Sequence, residues 1–182
     1  MLFYEIIDSH PAAAPALICQ DKMLTYGQMR EEVTLWAAHL QSCGVRQGDK
    51  VGLFSKNCSE FVLAYLAIIK AGGVVVPFNF QLAAPEVAYI VQDAGMKVMV
   101  TRQKLELEAA LRERGCGALK QLDFEELRQP AARPYEAVAM DENDNCTIIY
   151  TSGTTGQPKG AMLSHRNLLA NAAGFTQRVL MY

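Results

Sequence analysis

A strand–helix–strand unit in the first half of the chain places the strongest constraint on its fold. Val51–Phe54 is a short apolar run, Ser59–Ala71 has apolar residues at helical spacing, and Val74–Val76 is β-branched. Strands that are joined through a helix usually pair in parallel. The unit therefore predicts a layered α/β fold, with a mostly parallel sheet flanked by helices.

The same alternation continues along the chain and widens the predicted sheet. A helix around residues 87–91 precedes a strand at Val98–Val100. A weaker unit follows, with a charged helix at Lys104–Arg114 and a strand at Ala118–Leu122. We expect the polar segment Pro130–Asp144 to be a connecting loop.

Both ends of the chain add smaller elements. Ala16–Gln20 and Met23–Tyr26 are predicted to pair as strands, and a helix then runs from Gly27 to a stop near Gly44. Near the other end, Ser164 is the predicted N-cap of an amphipathic helix. Because that helical pattern is still running at Tyr182, we expect the chain to be part of a longer protein.

Composition limits the classes of partner. Of the 182 residues, 51% are hydrophobic and 20% are charged, which is typical of a globular protein. The net charge of −2 gives no general attraction for nucleic acid or an anionic membrane, so any anion binding is expected to be local. The longest apolar stretch, Phe61–Ile69, is too short to span a bilayer.

The N-terminus and the cysteines bear on cellular location. Acidic residues interrupt the N-terminal sequence before any long apolar run, which is not typical of a secretory signal. The five cysteines are scattered without close pairs, so we expect reduced thiols rather than disulfides or a metal site. Together these features predict a cytoplasmic protein.

The segment Tyr150–Gly160 carries the clearest functional signal. It follows the apolar strand Cys146–Ile149 and consists of small residues, hydroxyls and one lysine. Gly153 and Gly156 allow backbone N–H groups to converge on anionic oxygens, and Lys159 adds a positive charge. Further hydroxyl donors come from Thr151, Ser152, Thr154 and Thr155. This composition predicts a phosphate-binding loop.

Two other interpretations of this loop are weaker. A Walker loop requires Ser or Thr after the lysine and then a helix, whereas Lys159 is followed by Gly160 and the strand-like run Ala161–Leu163. Plain connectors of Gly, Ser and Thr are common, but so dense a run between two apolar segments favours binding. We expect phosphates to be held by loop amides, hydroxyls and one ammonium group, without a helix dipole.

Three motifs, in order, resemble those of the adenylate-forming, or AMP-binding, superfamily. They are Leu24–Tyr26, Ile69–Pro77 and the loop Tyr150–Gly160. This superfamily includes acyl-CoA synthetases, luciferases and the adenylation domains of peptide synthetases. The resemblance implies that residues 1–182 are the N-terminal part of the large domain of such an enzyme.

Two shorter motifs resemble the acyl-CoA synthetase branch, which includes the long-chain fatty-acid–CoA ligases. They are Ser164–Leu168 and Phe78-Asn79, where peptide-synthetase domains usually have Asp at the second position. The resemblance implies that a carboxylic acid, expected to be a fatty acid, attacks ATP to form an acyl-adenylate. Coenzyme A then displaces AMP, and Mg²⁺ is the implied metal.

The resemblance also implies roles within the loop. Lys159 is the implied catalytic residue, and the Thr151 hydroxyl is implied to lie near Mg²⁺. The residues implied to contact the β- and γ-phosphates of ATP are Thr151, Ser152, Gly153, Thr154, Thr155, Gly156 and Lys159. The remaining family ligands would follow Tyr182, so we expect this chain alone to be inactive.

Two other functions fit the same motifs. The chain could belong to an adenylation domain that loads a carrier-protein thiol, which a downstream carrier domain would identify. It could also belong to a non-catalytic nucleotide-binding module. The complete loop argues against the second alternative, because loss of activity would be expected to alter the loop early.

Several polar residues outside the loop are expected to have structural roles. His165 is interpreted as a capping or packing residue rather than a catalytic one, and His39 as a surface residue. Asp141, Glu142 and Asp144 are interpreted as a solvated turn rather than a metal site. Asn57 is the predicted cap of the helix that Glu60 opens.

Overall fold

The fold is built on one mixed sheet with helices on both faces and a separate two-stranded hairpin. The structure, a computed structural model, describes residues 1–20, 22–151 and 157–179. The strands are β1 Pro15–Cys19, β2 Lys22–Thr25, β3 Lys50–Phe54, β4 Val74–Phe78, β5 Val98–Thr101, β6 Lys120–Asp123, β7 Asn145–Thr151 and β8 Lys159–Ser164. The helices are a 3-10 helix at Phe3–Ile7, α1 Tyr26–Ser42, α2 Ser59–Lys70, α3 Ala84–Ala94, α4 Glu108–Glu113, α5 Phe124–Arg128 and α6 His165–Val179.

The sheet is mostly parallel, as predicted. Its six strands lie in the order β6-β5-β3-β4-β7-β8. Pairing is parallel from β6 through to β7, and β8 is the one described strand of this sheet that runs antiparallel, against β7. Strands β1 and β2 form the predicted antiparallel pair. The α/β fold class is therefore confirmed.

Two apolar clusters, one on each side of the sheet, form the core. The larger cluster includes Trp36 and Leu40 of α1 and Ile68 of α2, all with fully buried side chains. The smaller cluster joins α3 and α4 to the other side, with Val87 and Ile148 among its members. Burial of these faces is the main driving force for folding. Among the described residues, no helix is both long and apolar enough to cross a bilayer.

The helix predicted at Lys104–Arg114 is shorter in the structure. Only Glu108–Glu113 is helical. The Gln121 side chain of β6 holds the preceding segment: its amide accepts a hydrogen bond from the Leu105 N–H and donates one to the Leu105 carbonyl, both at 2.8 Å. These two bonds satisfy the Leu105 backbone in place of helical bonds, so the helix begins later.

Two predictions about single polar residues were wrong. Asn57 does not cap α2, because the N-cap position is Cys58 and no side-chain bond caps it, while Glu60 does lie in the first turn. His39 is half-buried rather than on the surface. The neighbouring α1 residues Ala38 and Leu40 are buried in the core, which draws His39 partly inward.

Candidate functional site

The predicted phosphate loop connects β7 and β8, the two strands of a hairpin. Thr151 is the last residue of β7 and pairs with Lys159, the first residue of β8. Both residues are exposed at the end of the hairpin. The predicted binding residues between them, Ser152, Gly153, Thr154, Thr155 and Gly156, lie outside the described residues.

Strand geometry places Thr151 and Lys159 on one face of the sheet. Directly opposed residues of antiparallel strands project to the same side, and successive residues alternate sides. Ile148 and Tyr150 pack in the cluster of α3. Thr147 lies on the opposite side, where its hydroxyl is 2.6 Å from the Tyr65 hydroxyl of α2. Thr151 and Lys159 therefore face the α2 side.

The loop end of the hairpin lies beside the carboxyl ends of the parallel strands, where α/β folds bind ligands. Because β3, β4, β5 and β7 are parallel, their carboxyl ends lie at one edge. Ligands in open α/β sheets bind in the crevice outside these ends. Thr151 terminates β7 at this edge. The topology thus brings the predicted loop to a position suited to a small-molecule ligand.

The residues after the loop do not form a Walker arrangement. The strand predicted at Ala161–Leu163 is confirmed and extends over Lys159–Ser164, and α6 begins only at His165. At about 3.4 Å per residue, the start of α6 lies roughly 20 Å from Lys159 along β8. The dipole of α6 is therefore too distant to act at Lys159, because its effect is limited to the first turn.

Helix α3 contacts both ends of the loop, which the sequence motifs did not indicate. The Tyr89 hydroxyl donates to the Pro158 carbonyl at 3.2 Å. The Tyr150 hydroxyl donates to the Asp93 carboxylate at 2.5 Å. Burial and the adjacent Asp93 charge raise the pKa of Tyr150, so its phenol stays protonated as the donor. The available sequence signal was the polar pair Tyr89 and Asp93 at positions i and i+4 of the helix.

Gly160 has a packing role that explains its place after the lysine. Its partner across the hairpin is Tyr150. A Cβ at position 160 would lie 2.7 Å from Ile148 Cγ2 and 3.2 Å from the Tyr150 ring. Only glycine leaves room for this aromatic ring against β8.

His165 is a buried structural residue at the far end of β8, as predicted. Its side chain is 1% exposed, and Nδ1 accepts a hydrogen bond from the Phe3 N–H at 3.0 Å. Burial lowers the pKa of His165, which keeps the imidazole neutral and able to accept. Ser164 caps α6, because its Oγ accepts from the Asn167 N–H at 3.2 Å. The histidine therefore joins the N-terminal 3-10 helix to the start of α6.

The acidic residues before β7 form a turn at the opposite end of that strand from the loop. An Asp144 carboxylate oxygen accepts the Asp141 N–H at 2.9 Å, and Asp141 accepts the Asn143 N–H at 2.9 Å. This bond from Asn143 lowers the pKa of Asp141. Within the ranges that the structure describes, no group of three or more His, Cys, Asp or Glu could hold a metal ion.

Comparison with known proteins identifies the family. The profile of the family described as "AMP-binding enzyme" matches residues 3–181. The chain belongs to this family. Its fold resembles O-succinylbenzoate coenzyme A synthetase from Bacillus subtilis in complex with the acyl-adenylate intermediate, with a TM-score of 0.84 and 26% identity. That match covers 97% of this chain and 45% of the synthetase chain.

The following relatives of this AMP-binding family member are of two kinds. Feruloyl-CoA synthase of an Amycolatopsis species is 38% identical over 150 residues, covering 81% of this chain and 30% of the relative. Surfactin synthase subunit 3 of Bacillus subtilis is 33% identical over 166 residues, covering 91% of this chain and 13% of the relative. The chain thus spans about a third or less of these relatives, which include both CoA ligases and peptide-synthetase adenylation domains.

Proposed function

We propose that residues 1–182 form the N-terminal part of the large domain of an ATP-dependent acid–thiol ligase. The main support is the β7–β8 hairpin, which presents Thr151 and Lys159 on one face, beside the carboxyl ends of the parallel strands. Membership of the AMP-binding enzyme family supports the reaction class. The proposed product is an acyl-coenzyme A, made through an acyl-adenylate.

The loop would act on the leaving group of the first step. An oxygen of the substrate carboxylate forms a bond to the α-phosphorus of ATP, and the bond from that phosphorus to the bridging oxygen breaks. Negative charge then grows on the departing pyrophosphate. Lys159 and the proposed donors Thr151, Ser152, Gly153, Thr154, Thr155 and Gly156 would stabilise that charge. In the second step, the thiol of coenzyme A attacks the acyl carbon and AMP leaves.

The described residues fit a Mg²⁺ ion that is held mainly by substrate. Mg²⁺ prefers oxygen ligands, keeps several waters and usually takes only one or two protein groups beside phosphates. The exposed Thr151 hydroxyl at the end of β7 would supply one such oxygen. When bound, the ion would offset negative charge on the phosphate oxygens.

Coenzyme A is the proposed acceptor because of the motifs at Phe78-Asn79 and Ser164–Leu168. The similarity to a CoA synthase at 38% identity supports the same choice. The match to surfactin synthase subunit 3 favours a carrier-protein thiol as the second candidate. The five free cysteines support a cytoplasmic location for this enzyme.

Acid-dependent exchange of labelled pyrophosphate into ATP tests the proposal in the full-length polypeptide. We expect exchange with at least one acid from a panel of fatty acids and aromatic carboxylic acids, followed by thioester formation with free coenzyme A. Exchange without a CoA product would favour the carrier-protein alternative. Absence of exchange with every acid would contradict the proposed activity.

A further inference from the structure

Helix α3 reaches both ends of the phosphate loop with two side chains from one helical face. Tyr89 and Asp93 are separated by four positions, so they lie one above the other on α3. Tyr89 bonds the Pro158 carbonyl, which precedes β8, at 3.2 Å. Asp93 accepts the Tyr150 hydroxyl near the end of β7. One helix therefore contacts the chain on both sides of residues 152–156.

The Tyr89 ring is itself held in place. The Arg114 guanidinium lies over the ring, with its central carbon 5.2 Å from the ring centroid. Gln92 fixes Arg114 in turn, because its amide donates to the Arg114 carbonyl at 2.7 Å and accepts from the guanidinium at 3.3 Å. The hydroxyl of Tyr89 is thus preorganised toward Pro158.

We propose that Tyr89 and Asp93 are positioning residues that hold the two ends of the phosphate loop ready for ATP. This inference rests on the proposed function. Ordering side chains and backbone during binding costs conformational entropy. By holding Tyr150 and Pro158, α3 fixes the end of β7 and the start of β8, and with them Thr151 and Lys159, before ATP binds. The side chains act from the face opposite Thr151 and Lys159, so they contact the loop and not the nucleotide.

The substitution Tyr89→Phe removes one hydroxyl and keeps the ring under Arg114. In the full-length enzyme we expect the KM for ATP to rise about 2- to 10-fold, the range that corresponds to one hydrogen bond. The KM for the carboxylic acid should stay unchanged. Tyr135→Phe is the matched control, because the Tyr135 hydroxyl also bonds a carbonyl, that of Lys70, at 3.3 Å. The control should lower thermal stability similarly without changing the KM for ATP.

Asp93 provides a second and graded test. Asp93→Ala removes the acceptor for Tyr150, whereas Asp93→Asn keeps an amide oxygen that can accept the same hydrogen bond. We expect Asp93→Ala to raise the KM for ATP and Asp93→Asn to recover most of the wild-type value. Equal values in the two variants, both matching the wild type, would overturn the role of Asp93.

Hydrogen exchange measured on the full-length polypeptide without ligand separates the two proposals. In Tyr89→Phe, the amides of Gln157, Lys159 and Gly160 should exchange faster than in the wild type and in Tyr135→Phe. Unchanged amide exchange together with an unchanged KM for ATP would overturn the positioning role. If the wild type shows no acid-dependent pyrophosphate exchange, the proposed function fails, and amide exchange alone decides whether α3 holds the loop.

Discussion

The two ends of the β7–β8 hairpin differ in burial. We call the buried end at His165 the closed end and the solvent-exposed end at Thr151 and Lys159 the open end. At the closed end, His165 is 1% exposed and accepts a hydrogen bond from the Phe3 backbone. At the open end, Thr151 and Lys159 face solvent. The closed end fixes the position of β8, and the open end leaves a hydroxyl and an ammonium group accessible. The end at His165 is thus fixed by burial, whereas the end at Thr151 and Lys159 keeps polar groups available for the proposed phosphate binding.

The largest expected effect is on activity at the open end. Lys159→Ala in the full-length enzyme should lower kcat/KM for ATP about 100- to 1,000-fold, by analogy with loss of one preorganised donor. Because Lys159 is exposed, the free energy of unfolding should change by less than about 0.5 kcal/mol. Pyrophosphate exchange and urea denaturation measure the two quantities.

Lys120→Ala is the matched control for that substitution. Lys120 is also exposed and also begins a strand, at the far edge of the sheet. Its replacement should leave kcat/KM unchanged. Wild-type kinetics of pyrophosphate exchange in Lys159→Ala would contradict the binding role of the open end.

A smaller effect is expected beside the loop, where packing and binding meet. Gly160→Ala would bring a Cβ within 2.7 Å of Ile148 Cγ2, so we expect a loss of about 1–3 kcal/mol in the free energy of unfolding. Gly174→Ala is the control, because a Cβ there meets nothing within 4 Å. As a helix position, it should gain up to about 1 kcal/mol. Equal stabilities of the two variants in urea would contradict the packing role of Gly160.

The smallest expected effect is a pH dependence at the closed end. Burial lowers the pKa of His165 in the folded chain, although Asp144 and Glu5 partly oppose this. The unfolded chain therefore takes up a proton first as the pH falls below about 6.5. Stability should be complete above that pH and should decrease below it.

His165→Asn tests this pH dependence. Its amide oxygen can accept the Phe3 N–H, yet it does not titrate. Urea denaturation from pH 5 to 8 should show that the wild type loses more stability on acidification than His165→Asn does. Parallel curves for the two proteins would show that His165 does not contribute to the pH dependence.

Local sequence patterns predicted most of the fold, because the periodicity of a strand or a helix depends on residues that are close together in the sequence. The unit from β3 through α2 to β4, a strand at Ala161–Leu163 and the Ser164 cap were all predicted and are confirmed. The helix before Arg114 was predicted too long, because Gln121 of β6, 16 residues further along the chain, hydrogen-bonds the Leu105 backbone. Helix propensity depends on the residues of the segment itself and does not reveal a partner on a distant strand.

The candidate site was likewise predictable only in part from the sequence. The composition of the loop predicted phosphate binding, and Lys159 and Thr151 stay predicted ligands that lie at the hairpin end. The contacts from α3 could not be read from the motif, because Tyr89 and Asp93 lie 69 and 57 residues from their partners. Only the assembled fold brings these side chains to the loop.

A crystal structure of the full-length protein with ATP bound would show whether Lys159 binds the triphosphate. We expect Lys159 Nζ to lie within hydrogen-bond distance, about 3 Å, of an oxygen of the β- or γ-phosphate. The Thr151 hydroxyl should lie on the same side of the sheet as that triphosphate. A triphosphate bound elsewhere, with Lys159 directed into solvent, would show that this hairpin end is not the phosphate-binding site.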